Sequence, residues 1–327
     1  MRTKVFIEKM SEDKKSLCNQ FIRSFSSLNI VDDFRRANSI FIKPNLTYPE
    51  YKKGVVTRIE FIESLVSTLV KINSLIKIYI GEGEGGYNSF SIGEAFKNMG
   101  YFDLEKKFPQ IKVINLSEIP SKEIEIDTTR GQYRINLPEI FFHNIDFSIS
   151  CPVPKVHCMT KVTLSYKNQW GCLPDAMRLK NHYMFNNIIF MISDVLKFKY
   201  AFLDGKYGLD DNGPMIGRPV ETNWFLASNS LGAFDLIVSE MMGFDWKKIA
   251  HLREAAKYGF IPRRKDITII GDIDSLKRKF KLHRTLWNYP TFFAFHSKKL
   301  TYLFYFSKFA KPLHDIMYTF RKRPLDG

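Results

Sequence analysis

Short, dense apolar runs alternate along this chain with longer stretches in which apolar residues return every three or four positions. The short runs are Val5–Ile7, Ser39–Lys43, Ile76–Ile80, Ile111–Asn115, Asp146–Ser150, Tyr200–Leu203, Trp224–Ala227 and Ile267–Ile270. Their length and their β-branched and aromatic content predict buried strands. The stretches with helical period are Ser11–Ser27, Thr57–Lys71, Ser89–Asn98, Asn181–Leu196 and Leu231–Met242. Glu60 stands three residues after Thr57, which predicts a capping box at that helix start. Glu123–Asp127 and Tyr133–Asn136 flank a polar turn and predict a hairpin. Parallel strands need long crossovers, and helices supply them. The expected fold is therefore α/β: a mainly parallel sheet flanked by helices, with an inserted hairpin.

Composition adds one division to this picture. Of 327 residues, 45% are hydrophobic and 25% charged, ordinary globular proportions that exclude wholesale disorder. The net charge is +15, but residues 277–327 alone hold twelve basic and two acidic side chains, with thirteen of the 48 aromatic ones. The expected domains are an α/β domain over 1–273, with a soft internal boundary near 120–138 at the hairpin, and a basic aromatic helical segment over 274–327. That segment can cap the main body with its rings. It can also lie on an anionic membrane surface, where aromatic rings sit at headgroup level and lysines meet lipid charge. Stacking on single-stranded nucleic acid is not expected. No run of eighteen apolar residues occurs, and Met1–Lys9 lacks a signal-peptide core. A cytoplasmic protein is expected, peripheral at the inner membrane face if the basic segment docks there. The oligomeric state has no signal in the sequence.

Ligands in open α/β sheets bind beyond the carboxyl ends of the strands, and three predicted ends carry unusual chemistry. Lys43-Pro44-Asn45 closes the first: Lys43 would offer a cation to an anionic ligand and Asn45 a polar contact. Gly81-Glu82-Gly83-Glu84-Gly85-Gly86 closes the second. It has neither phosphate-loop nor dinucleotide spacing, which leaves a tight loop or a role for Glu82 as base or metal ligand. The third is the stretch from Pro154 to Gly171, with Lys155, His157, Thr160, Thr163, Ser165, Lys167 and Asn168 within fourteen positions. Read as an extended run, it puts Lys161, Thr163, Ser165 and Lys167 on one face. His157 has an ordinary pKa suited to proton transfer near neutrality. His182 opens the next helix, and Asp204 ends the next strand as a cap or an oxygen ligand. Cys18, Cys151, Cys158 and Cys172 form no disulfide framework, and the spacing of the last three matches neither a zinc ribbon nor a ferredoxin cluster.

These elements together resemble the domain of unknown function 362 family. The resemblance is carried by Lys43-Pro44-Asn45-Leu46, Thr57, Gly81-Glu82-Gly83, Pro154-Lys155 with His157, Thr160 and Thr163 through Lys167-Asn168 and Gly171, then His182, Asp204-Gly205, Gly213-Pro214 with Gly217, and Asp235. It spans roughly residues 38 to 242. It implies an α/β protein without a settled general activity. Many relatives carry ferredoxin-type cysteine clusters beside this domain; this chain has none, and it has Asn229-Ser230 where relatives often show an acidic residue. A more distant similarity is to the nickel-dependent lactate racemases, in the use of His and Lys around an α/β cleft.

Three functions stay open on the sequence. The first is an enzyme for a small anionic carboxylate or phosphate. In it, Lys43, Lys155 and Lys167 hold oxygens, His157 transfers protons, Asn45, Thr160, Thr163, Ser165, Asn168 and His182 position the substrate, and Glu82 with Asp204 offers sites for a divalent metal. The second is a redox accessory or iron–sulfur or metal-linked protein using Cys151, Cys158 and Cys172. The third is a non-catalytic protein bound to an anionic membrane surface through 277–327.

Overall fold

The computed structural model describes residues 2–86, 89–286 and 288–319, without the side chains of 314 and 316–319. Residues 320–327, which include Arg321, Lys322 and Arg323 of the basic segment, lie outside the described residues, as do Tyr87, Asn88 and Trp287.

Twelve strands are found among the described residues: β1 (Thr3–Lys9), β2 (Ser39–Pro44), β3 (Lys77–Glu82), β4 (Ile111–Asn115), β5 (Ser121–Thr128), β6 (Gly131–Pro138), β7 (Phe147–Cys151), β8 (Lys155–His157), β9 (Lys161–Thr163), β10 (Phe198–Asp210), β11 (Arg218–Ser228) and β12 (Ile267–Ile270). The main sheet runs β12-β1-β11-β10-β7-β2-β3-β4. Every strand in that series points the same way except β11, which is antiparallel to both its neighbours. β5 and β6 form the expected hairpin as a separate two-stranded sheet.

Side-chain alternation explains why the sheet is covered on both faces. In β2, Phe41 packs with one apolar layer while Ile40 and Ile42 pack with the other. In β10, Ala201 and Leu203 face the first layer and Tyr200 and Phe202 the second. Strands buried on both sides read as continuous apolar runs, which is how they stood out in the sequence. One layer holds the helices Phe185–Val195, Leu231–Met241 and Ala250–Lys257. The other holds Lys14–Leu28 and Ile59–Ile72.

The topology creates one crevice. From β2 the chain moves outward through β3 to β4, then returns to the other side of β2 as β7. The chain passes from β2 to β3 on one side and from β7 to β10 on the other, so the carboxyl ends of these two strands bound a switch point.

Two sequence expectations are corrected. Thr57 does not cap the helix Ile59–Ile72; its hydroxyl accepts from Asn45 N–H at 2.8 Å and donates to the Cys151 carbonyl at 2.7 Å, clamping the ends of β2 and β7 together. Nor is 161–167 one extended run. β8 and β9 form a small hairpin with Lys155 opposite Thr163, and Ser165–Asn168 then turns into a short helix. Helical turning takes Ser165 and Lys167 to different sides.

Candidate functional site

The switch point is occupied by the polar residues that the sequence singled out. Their surroundings divide them into two sets.

The first set is consumed in building the site. Lys43 is fully buried at the end of β2, and its amine is ion-paired with Glu82 at the end of β3 while also donating to the Pro44 carbonyl at 2.8 Å. Glu82 Oε2 further accepts from Leu46 N–H at 3.3 Å. Gly171 lies against this pair so closely that a β-carbon there would stand 1.9 Å from Glu82 Oε1 and 3.0 Å from Lys43 Nζ. Lys155, also fully buried, donates to Asn45 Oδ1 at 3.0 Å, Thr47 Oγ1 at 2.9 Å and the Val55 carbonyl at 2.7 Å. Burial, with Lys167 nearby, holds its pKa well below the usual lysine range. Asn168 Nδ2 donates to the Lys43 carbonyl at 2.9 Å and to Ser150 Oγ at 3.2 Å, so it bridges β2 and β7 across the crevice. Ser165 turns away to Asp235, and Thr160 Oγ1 donates to the Val162 carbonyl at 3.0 Å.

The second set has unspent valence. Lys167 Nζ has no hydrogen bond or ion pair among the described residues; it lies 5.3 Å from the centre of the Phe185 ring. Burial, followed by the Arg178 charge, lowers its pKa to about 8. His157 Nδ1 accepts from Met159 N–H at 3.1 Å and Thr160 N–H at 3.4 Å, which assigns the proton of the neutral ring to Nε2. Burial, with Lys167 and Lys155 next in weight, keeps that ring neutral well below the usual histidine range. The His182 ring meets those of Trp170 and Phe295 in tilted contacts, with ring centres 5.7 and 4.7 Å away, and burial with Lys167 lowers its pKa strongly. Glu82 Oε1 and Thr163 Oγ1 are buried without a hydrogen-bond partner. Buried polar atoms are normally paired, so orphans gathered at one place mark either strain or a missing ligand.

Three members of this cluster were not singled out in the sequence. Arg178 Nη1 and Trp170 Nε1 are buried and unpartnered, and so are both ring nitrogens of His251. His251 lies 5.6 Å from the Phe185 ring centre, and burial lowers its pKa to about 3. Arg178 stands four residues before His182 in the same 3₁₀ segment, Arg178–Met184, which is the one local hint it carries. His251 sits in the amphipathic helix Ala250–Lys257 and has no local signal.

The remaining candidates are Asp204 and the cysteines. Asp204 is taken up by Arg58, whose Nε and Nη2 donate to Oδ1 at 2.9 and 2.7 Å and whose backbone N–H donates to Oδ2 at 2.8 Å. This pair ties the start of the helix Ile59–Ile72 to β10. All four cysteines are buried and none forms a disulfide among the described residues; burial raises the Cys151 and Cys172 thiols. Among the described residues no three His, Cys, Asp or Glu side chains gather as a metal site would need. A cleft of about 580 Å³ opens at the opposite, amino-terminal edge of β2 and β3. Two of its polar side chains are engaged: Asp146 accepts from the N–H groups of Asn38 and Ser39, and Asn73 Nδ2 donates to three carbonyls. The unpartnered groups around Lys167 lie at the carboxyl edge.

Residues 40–240 match the family model described as domain of unknown function (DUF362). A thylakoid-associated protein of Synechocystis sp. is 22% identical over 245 residues, 70% of each chain. Among solved structures, the lactate racemase apoprotein from Thermoanaerobacterium thermosaccharolyticum aligns at TM-score 0.44 and 14% identity, over 79% of this chain and 57% of its own. A Thermotoga maritima protein aligns at TM-score 0.35 and 11% identity, over 61% of this chain and 51% of its own. The chain thus spans little more than half of either structure. No helix among the described residues is long and apolar enough to cross a membrane.

Proposed function

We propose that this chain, which belongs to the DUF362 family, binds a small anionic molecule, a carboxylate or phosphate, at the carboxyl edge of β2, β3 and β7 and moves protons on it. The observation that carries this reading is Lys167, a cation without a hydrogen-bond or ion-pair partner among the described residues, set beside Arg178 with its own unpartnered Nη1. Two such donors meet the requirement of an oxyanion, since charge-assisted hydrogen bonds are the strong ones. An amine whose pKa is about 8 exchanges protons near neutrality, which suits acid–base work. His157 then serves as a neutral Nε2–H donor, because its Nδ1 lone pair already accepts from backbone. Lys43, Lys155 and Asn168 act through position, holding the loops that frame the site.

Titration calorimetry with inorganic phosphate and with small mono- and dicarboxylates tests this reading. Lys167→Met is expected to weaken binding by roughly tenfold to a hundredfold, the range for losing a hydrogen bond to a charged group. Affinity of the unaltered chain is expected to fall as pH rises through about 8, where Lys167 in the free protein loses its charge. The Lys167→Met protein should lack that pH dependence. Equal affinity and an equal pH profile in both proteins would sink the assignment.

A further inference from the structure

The helices Asn288–His296 and Lys298–Tyr305 have two unlike faces. The inner face is packed. Phe295 stands 4.7 Å from His182 and 5.5 Å from Phe185, ring centre to ring centre, and Thr301 Oγ1 donates to the Ala294 carbonyl at 2.6 Å. The segment leading to them is strapped to the body. Trp224 Nε1 donates to the Leu276 carbonyl at 2.7 Å, and Arg284 Nε donates to the Cys158 carbonyl at 2.6 Å.

The outer face is bare. Twelve large hydrophobic side chains are exposed among the described residues, and seven of them fall between Leu286 and Phe309. Tyr289 and Phe293 are one helical turn apart, as are Tyr302 and Phe306; Leu286 is 84% and Phe309 54% exposed. A soluble surface does not normally concentrate its apolar exposure this way. Lys299 and Lys308 are exposed between these side chains in sequence, Lys298 is exposed with its amine 5.8 Å from the Tyr183 ring centre, and the described part of the segment, 277–319, has nine basic residues against one acidic.

Rings and leucines interleaved with lysines point to one partner chemistry. We propose that this outer face docks on an anionic lipid surface, with the apolar side chains at headgroup depth and the lysines against lipid charge. A second copy of the chain fits less well, because a two-fold contact would bring the same cationic patch against itself. Single-stranded nucleic acid would use the rings but leave Leu286 and Leu303 without a role. The docking face is the back of the helix that touches His182, so a docked chain holds its anion cluster beside the lipid headgroups. This inference stands apart from the proposed function: docking can hold with no ligand at Lys167.

Flotation of the full chain is the test, with vesicles of phosphatidylcholine alone and vesicles in which phosphatidylglycerol replaces part of it. The chain is expected to float with the anionic vesicles at low salt, to release at high salt, and to stay behind with the neutral ones. Lys298→Gln/Lys299→Gln/Lys308→Gln is expected to lower partitioning by roughly a hundredfold. Phe293→Ser/Tyr302→Ser/Phe306→Ser/Phe309→Ser is expected to abolish flotation at an unchanged Tm. If that variant fails to fold, the lysine variant still decides. Failure of the full chain to float at low salt would overturn the proposal, and so would flotation of the lysine variant equal to the parent. A dimer that the aromatic variant turns into a monomer, with flotation unaltered, would reassign the face to self-association.

Discussion

Lys43 and Lys167 are the same residue type in one cluster, and their neighbours give them opposite tasks. Lys43 is buried against Glu82 with its charge matched. Removing one partner of a buried pair strands the other charge, whereas removing both replaces a costly desolvation with apolar contact. Lys43→Met is therefore expected to destabilise the protein by about 3–5 kcal/mol, and Lys43→Met/Glu82→Leu to recover most of that. Urea unfolding of both variants checks it; a double variant no more stable than Lys43→Met would overturn the expected recovery. Gly171 belongs to the same unit, because any side chain there collides with Glu82 Oε1. Gly171→Ala should lower stability by about 1–3 kcal/mol, the usual result of overpacking, and an unchanged midpoint would refute the contact. Lys167 has no comparable partner, so its removal should affect ligand affinity far more than stability.

The short helix Ser165–Asn168 decides where Lys167 goes, and Asp235 decides the helix. Asp235, on the helix Leu231–Met241, accepts from Ser165 N–H at 2.7 Å, Ser165 Oγ at 2.6 Å and Tyr166 N–H at 3.1 Å. These are the otherwise unmatched donors of a helix start, met by a carboxylate seventy residues away. Asp235→Ala leaves them buried and unsatisfied, and a loss of about 3 kcal/mol is expected, with anion affinity lost alongside because Lys167 is no longer aimed. Calorimetric unfolding together with phosphate titration checks both parts. Loss of stability with affinity retained would mean that Lys167 does not depend on this helix. The Arg58–Asp204 pair plays a parallel role, holding the start of Ile59–Ile72 on β10.

Burial of so many titratable groups in one cluster gives the whole protein a pH response. For His157, His182 and His251 the folded pKa lies below the unfolded value of about 6.5, so the unfolded chain binds protons first as pH falls. Their stability contribution is present above about pH 6.5 and is lost on acidification. Asp235 opposes them: burial raises its pKa to about 7, so the folded state holds that proton and gains stability as pH falls from 7 toward the unfolded carboxyl value. Between pH 7 and 5, His251 costs about 2 kcal/mol and Asp235 returns a similar amount, by the linkage slope. The remaining two histidines then set the sign. Tm is expected to be lower at pH 5 than at pH 7, and His251→Phe to narrow the difference; a Tm that rises on acidification would contradict this balance.

The apolar rhythm missed the short strands β8 and β9 and the helices Val31–Arg36, Tyr101–Lys107 and Ala250–Lys257, but it was enough to recover the eight strands of the main sheet, five helices, the hairpin β5–β6 and the mainly parallel sense of the sheet. These follow from local burial patterns that a two-sided sheet imposes on every strand. It also located the polar strand ends that meet at the β2–β7 crevice. Which of those residues hold the fold and which remain free was not legible, because that depends on partners far along the chain. Lys43 meets Glu82 39 residues away, and Lys155 meets Asn45 110 residues away. The alternation around Lys161–Lys167 misled for the same reason: a distant carboxylate stabilised a helix where local pattern alone favoured extension. His251 reaches the cluster only because its helix packs on Phe185–Val195. Periodicity is a property of neighbours in sequence. The charge state and availability of a side chain are set by what packing brings within about 3 Å of it.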